Sequence, residues 1–152
     1  MKRFVWREGA LEARLDRLDR VVLSAVPSIL DGVGDVGVDP AAARLEPAVY
    51  REDPEASAEF LRLSSGLIED GRRADLESFQ VGWEQVLAGG RLQPAQAEAW
   101  TRALTTARLV LGARLGIEED GWEADPSQEI DDPRIAALHV LGRIQESLVD
   151  AL

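Results

Sequence analysis

The sequence contains no cysteine. That excludes a disulfide, a thiolate metal ligand and a thiol nucleophile, and it leaves the redox compartment open. Histidine is almost as scarce: His139 is the only one, so zinc sites built from several imidazoles, the H-E-x-x-H arrangement and two-histidine dyads are excluded. Bases are outnumbered, with 17 Lys and Arg against 28 Asp and Glu and a formal net charge of −11. Long apolar runs are missing too. The longest, residues 21–30, is interrupted by Ser24, Pro27 and Ser28 and falls far short of the ~20 residues that span a bilayer. No transmembrane helix is expected. Lys2 and Arg3 open the chain, but Arg7 and Glu8 arrive before an apolar h-region forms, so no signal peptide is expected and the cytoplasm is the expected location. The patterns G-x-S-x-G, Walker A and S-x-x-K are absent, and the scattered serines have no base beside them in sequence.

What is present is a strongly localised acidity. Residues 117–133 hold Glu118, Glu119, Asp120, Glu123, Asp125, Glu129, Asp131 and Asp132 with no Lys or Arg. Without this loop the chain carries a net charge of only about −3, neither strongly acidic nor basic. That balance argues against a polyanion binder, and no nucleic-acid or membrane partner is expected. A calcium loop needs oxygen ligands at alternate positions, glycine at the sixth and glutamate at the twelfth, and no register around Gly121 or Gly32 supplies them. No metal or cofactor is therefore read from it. Trp122 sits in the middle of the charged stretch, where it either folds back onto the body or anchors an interface. Apolar and charged contents of 45% and 30% over 152 residues are those of one ordinary globular domain, spanning 1–152.

Periodicity predicts a mainly α protein: a helical bundle of about five helices with a small N-terminal β-hairpin. Residues 3–15 alternate, with Phe4 and Trp6 on one face and a turn at Arg7, Glu8 and Gly9. From Asp16, a predicted N-cap, the spacing becomes helical through Leu18, Val21, Val22, Ala25, Val26, Ile29 and Leu30, with a kink expected at Pro27. Asp39-Pro40 and Asp53-Pro54 each pair an N-cap with Pro at the first helical position. The first of these helices is expected to end near Pro47. The second is expected to bury Ala56, Phe60, Leu63 and Leu67 and to end near Asp70-Gly71. A further helix carries Leu76, Phe79, Trp83, Val86 and Leu87 before Gly89-Gly90. The longest clean helix, 94–115, places Ala97, Trp100, Ala103, Leu104, Ala107, Val110 and Leu111 on one face with Gly116 after its end, the expected central strut. Asp132-Pro133 opens a last helix with Ile135, Leu138, Leu141, Leu148, Val149 and Leu152 as its stripe.

Gly32, Gly34 and Gly37 match G-x-G-x-x-G, but a dinucleotide site needs a buried strand before the glycines and a long helix after them. Here a helical period precedes and a short helix follows, and Asp31, Asp35 and Asp39 would repel phosphate; the stretch reads as a connector. His139 falls off the apolar stripe beside Arg143, Glu146 and Asp150, a surface position rather than a general base. Two polar residues break the pattern: Gln145 lies within the last helix's stripe, and Arg114 lies on the Trp100, Ala103, Ala107 and Val110 side of the long helix. An inward-facing Arg114 needs a carboxylate or carbonyl partner, with Glu59 as a candidate. Arg108, Arg114, Gln145 and Glu59 thus form either a core polar network that holds helix register or a small-molecule pocket.

Taken together, Arg44, Leu45, Glu46, Pro47, Tyr50 and Asp53, then Glu59-Phe60 and Arg62-Leu63, then Ala99-Trp100, Arg102, Ala103, Leu104, Arg108-Leu109, Leu111-Gly112 and Arg114-Leu115-Gly116, and finally Leu141-Gly142 with Gln145-Glu146-Ser147-Leu148, resemble an actinobacterial family of uncharacterised proteins. Its members are commonly encoded beside the Clp protease adaptor ClpS, and some carry a "transcriptional regulator" label. This chain departs from that pattern at Leu138, His139, Val140 and Arg143, where the family carries aromatics. The resemblance implies no reaction; the expected function is a non-enzymatic interaction or regulatory protein with a protein partner, tied by that gene neighbourhood to regulated proteolysis. An enzyme with a pocket around Arg114 and Gln145, and then a DNA-binding regulator, are the alternatives. A homo-oligomer remains open.

Overall fold

A computed structural model describes residues 2–33, 39–45, 53–116 and 132–152. The acidic loop with Trp122 and the glycine connector after Val33 lie outside the described residues, as does the expected end of the second helix at Pro47. The chain is mainly α with a small hairpin: β1 (Phe4–Arg7), β2 (Ala10–Ala13), α1 (Arg17–Asp31), α2 (Pro40–Leu45), α3 (Pro54–Leu87), α4 (Pro94–Arg114) and α5 (Pro133–Ala151). No helix among the described residues is long and apolar enough to cross a membrane.

The strands pair antiparallel, Phe4 opposite Ala13 and Trp6 opposite Leu11. Glu8 and Gly9 alone form the turn, with φ of 54° and 83°, as a two-residue type I′ hairpin requires. Leu92, from the link between α3 and α4, adds a third edge: its N–H donates to the Leu11 carbonyl at 2.9 Å and its carbonyl accepts from Leu11 N–H at 2.8 Å. Phe4, Leu11 and Leu92 are thereby buried against the helices.

Helix starts follow their caps. Asp16 accepts from Asp19 N–H at 2.8 Å and Asp19 returns the bond to Asp16 N–H at 3.2 Å, a reciprocal pair that satisfies two otherwise orphan donors. Asp39, Asp53 and Asp132 accept from Ala41, Ala56 and Arg134 N–H respectively. α1 continues through Pro27 to Asp31. α4 is the central strut: its face of Ala97, Trp100, Ala103, Leu104, Ala107, Val110 and Leu111 is buried, and every other helix and β2 contacts it. Gly116, at φ 73°, follows its end in the left-handed region that glycine tolerates.

Three expectations about helix faces are corrected. Residues 54–87 form one continuous helix rather than two: Gly66 and Gly71 lower helix propensity without imposing a break. Only its second half packs on α4, antiparallel, through Asp75 with Arg102, Phe79 with Trp100 and Gln85 with Gln96. No described residue from 54 to 71 is buried, and Phe60, Leu63 and Leu67 are 37%, 68% and 76% exposed. On α1 the buried face is Asp19, Val22, Leu23 and Val26, leaving Leu18, Val21 and Ala25 exposed. On α5, Val140 and Ile144 join Ile135, Leu138, Leu141 and Leu148 in the core, whereas Val149 and Leu152 are about half exposed. In each case a wide apolar sector allowed more than one inward face, and packing chose among them.

Candidate functional site

The polar residues singled out in sequence separate into two networks and one surface pair. In the first network, α4 and α5 bring Arg108 and Gln145 together: Arg108 Nη1 donates to Gln145 Oε1 at 2.9 Å. Gln145 Nε2 in turn donates to the Thr101 carbonyl at 3.1 Å and to the Thr105 hydroxyl. Thr105 closes the set by donating to the Thr101 carbonyl at 3.0 Å. Both amide groups of Gln145 are thus engaged inside the fold. The Arg108 guanidinium lies over Gly142 of α5, and its Nε is buried without a hydrogen-bond partner. A half-buried charge with one unmatched donor ties two helices together at some cost in desolvation.

Arg114 belongs to a different place. It is exposed, not inward-facing, and its partner is not Glu59: Nη2 donates to the Gly32 carbonyl at 2.8 Å and to Asp39 Oδ2 at 3.2 Å. At the end of α4 the side chain passes the core and reaches the surface where α1 stops and α2 begins, because a long guanidinium stem can cover apolar surface while its head stays hydrated. Glu59 instead pairs with Arg62 at 3.1 Å on the exposed half of α3. The four residues therefore do not converge on a pocket. Arg108 and Gln145 meet, Arg114 stands six residues along α4 on another face, and Glu59 is elsewhere. His139 is exposed, and no group of three or more Asp, Glu or His among the described residues could hold a metal ion.

Several features were missed in sequence. Asp19 is buried to 2% exposure and accepts from Arg3 Nε at 3.0 Å; its only signal is that it runs in phase with Val22, Leu23 and Val26. Arg72 Nη2 donates to the Leu45 carbonyl at 2.9 Å, across 27 residues, and had no sequence signal. Trp100 is fully buried against Phe79 and Trp83, with ring centroids 4.6 and 6.3 Å away, and its Nε1 lacks a partner. Trp6, by contrast, donates its indole N–H to the Ala151 carbonyl, joining the hairpin to the end of α5.

Ionisation is shifted at surface pairs. Glu12 is held below the usual carboxylate range, chiefly by its hydrogen bond from Arg14, with Arg7 and Arg91 adding positive potential. Asp132 is lowered by hydrogen bonds from the Arg134 side chain and backbone. Arg102 is raised by its bond to Asp75. These pairs hold a strand, a helix cap and the α3–α4 contact in place.

The remaining candidate is a surface. At 100° per residue, Ala56, Phe60, Leu63 and Leu67 occupy one narrow sector of α3, turned about 120° from the Phe79 and Val86 sector that meets α4. Their spacing of four, three and four residues is that of a heptad seam. Gly66 and Gly71 open onto empty space beside it. Residues 53–71 carry Asp53, Glu55, Glu59, Glu69 and Asp70 against Arg62 as the only base.

The chain belongs to the family described as Domain of unknown function (DUF2017), whose model matches residues 1–152. No curated protein and no solved structure matches it.

Proposed function

Starting from membership in a family without an assigned activity, we propose that this protein is a non-enzymatic interaction module that docks a protein partner on the outward face of α3. The observation that carries this reading is the exposure of Leu63 and Leu67, at 68% and 76%, on one stripe of a helix half with no buried described residue. Large apolar side chains on one stripe gain by leaving water, and a partner helix laid along it uses the i, i+4 anchors of groove recognition. The acidic border favours a partner helix flanked by Lys or Arg. Gln145 supports the same reading, because both ends of its amide are spent on Arg108, Thr101 and Thr105 rather than presented to a substrate.

The resemblance to actinobacterial sequences encoded beside the adaptor ClpS supports regulated proteolysis in the cytoplasm as the proposed setting for this docking. The acidic net charge of −11 disfavours nucleic acid as the partner. The test compares the parent with a Leu63→Asp/Leu67→Asp variant as baits in an actinobacterial lysate, followed by titration of the recovered partner against both purified chains. A partner that binds the parent and loses at least tenfold in affinity for the variant, with the circular dichroism of the two chains unchanged, supports the reading. A partner that binds both equally refutes it.

A further inference from the structure

Helix α2 has a core of its own. Ala41 is fully buried, yet it packs not in the main cluster but with Val110 and Ala113 of α4, bordered by Ile29, Val33 and Leu45. Among its described side chains α2 brings to this contact Ala41, with Leu45 at the border, and a helix of six residues closes only about two i→i−4 hydrogen bonds of its own. The main core, in contrast, is built on Trp100, Phe79, Leu104 and Leu141.

Beside this apolar contact, α2 is clasped by polar groups at its two ends. At the start, Arg114 from α4 donates one nitrogen both to Asp39, which caps α2 through Ala41 N–H, and to the Gly32 carbonyl at the end of α1. At the finish, Arg72 from α3 donates to the carbonyl of Leu45, the last residue of α2. Each arginine comes from a different helix: Arg72 grips a terminal carbonyl that a short helix leaves unsatisfied, and Arg114 grips the carboxylate that caps it. Segments with few buried apolar contacts open at lower free energy than the body that carries them.

We propose that α2 is a releasable strap, clasped at its ends by Arg114 and Arg72, that opens independently of the bundle and uncovers the apolar surface of Val110, Ala113 and Ile29. The strap does not depend on α3 docking a partner: its residues and its test are separate from Phe60, Leu63 and Leu67. It is a second apolar surface, and it is kept closed until the clasp is loosened.

The absence of native cysteine allows a direct test by thiol labelling with an aromatic disulfide reagent under native conditions. Ala41→Cys reports on the strap and Ala107→Cys, equally buried in the main cluster, reports on the bundle. Each rate is normalised to that of its own chain unfolded in urea. The Ala41→Cys chain is expected to label at least about 100-fold faster than the Ala107→Cys chain, the signature of sub-global opening. Adding Arg114→Gln is expected to speed the former a further five- to tenfold or so, and the latter by no more than that factor, since the clasp is lost in both openings. Ala42→Cys serves as a second strap probe if sulfur at position 41 perturbs docking. Equal protection of strap and bundle probes, or no acceleration of the Ala41→Cys chain by Arg114→Gln, would overturn the proposal.

Discussion

Replacing Gly82 by alanine should destabilise the protein even though alanine is the better helix former. In an open helix position the exchange gains about 1 kcal/mol. At Gly82, however, a Cβ would lie 2.6 Å from Trp100 Nε1, 2.8 Å from Leu92 Cδ2 and 3.3 Å from Trp100 Cε2, roughly 1 Å inside normal contact for the first two. Neither neighbour can yield easily. Trp100 is fully buried with the Phe79 ring 4.6 Å away, and Leu92 is fully buried and tied to Leu11 by two backbone hydrogen bonds. Overpacking of this kind costs about 1–3 kcal/mol, and the severity of the overlap puts the site toward the upper end. The net expectation is a loss of about 1–2 kcal/mol, which for a chain of this size lowers the melting temperature by roughly 3–6 °C. Gly66→Ala and Gly71→Ala, in the same helix, meet nothing within 4 Å and should each raise stability by about 0.5–1 kcal/mol. Calorimetry and urea unfolding of the three variants give the signs, with tryptophan emission as an independent report on Trp100. A Gly82→Ala chain as stable as the parent would refute the close approach of α3 and α4 at this point.

Arg114→Ala should cost about 1 kcal/mol in urea unfolding, not the 3–5 kcal/mol of a broken buried ion pair, because the side chain is a third exposed; a larger loss would mean that its head is desolvated. Gln145→Leu should cost about 1–3 kcal/mol by stranding Arg108 Nη1 beside an Nε that already lacks a partner, and adding Arg108→Met should recover most of that loss; strict additivity in the double-mutant cycle would contradict the network. Glu12 and Asp132 have folded-state pKa values below their ordinary ones, so their contribution is present above the unfolded pKa and fades as pH falls through the folded one. A Glu12→Gln/Asp132→Asn chain should therefore be less stable than the parent at neutral pH, with the gap closing below about pH 4; a gap that widens in acid would reverse the assignment.

Much of this architecture was legible in the sequence because local chemistry decides it. Asp before Pro at 39, 53 and 132, and Asp16 just ahead of the first helical period, mark helix starts through bonds made within a few residues. The α4 face could be read without ambiguity because its small and large apolar residues fill one unbroken stripe that other elements surround. Gln145 stood out for a similar reason, a polar residue in an apolar sector, and its pairing with Arg108 follows from the antiparallel meeting of α4 and α5. Which of two apolar faces points inward was not legible on α1, α3 and α5, since periodicity gives spacing but not the direction of the neighbouring helix. Only the tertiary structure turned Leu63 and Leu67 outward while seating Phe79, in the same helix, under Trp100. It alone joined Arg114 to Asp39 and Arg72 to Leu45, 75 and 27 residues apart. A long, flexible cationic side chain takes whichever acceptor the packed backbone brings within reach, and sequence distance carries no record of that reach.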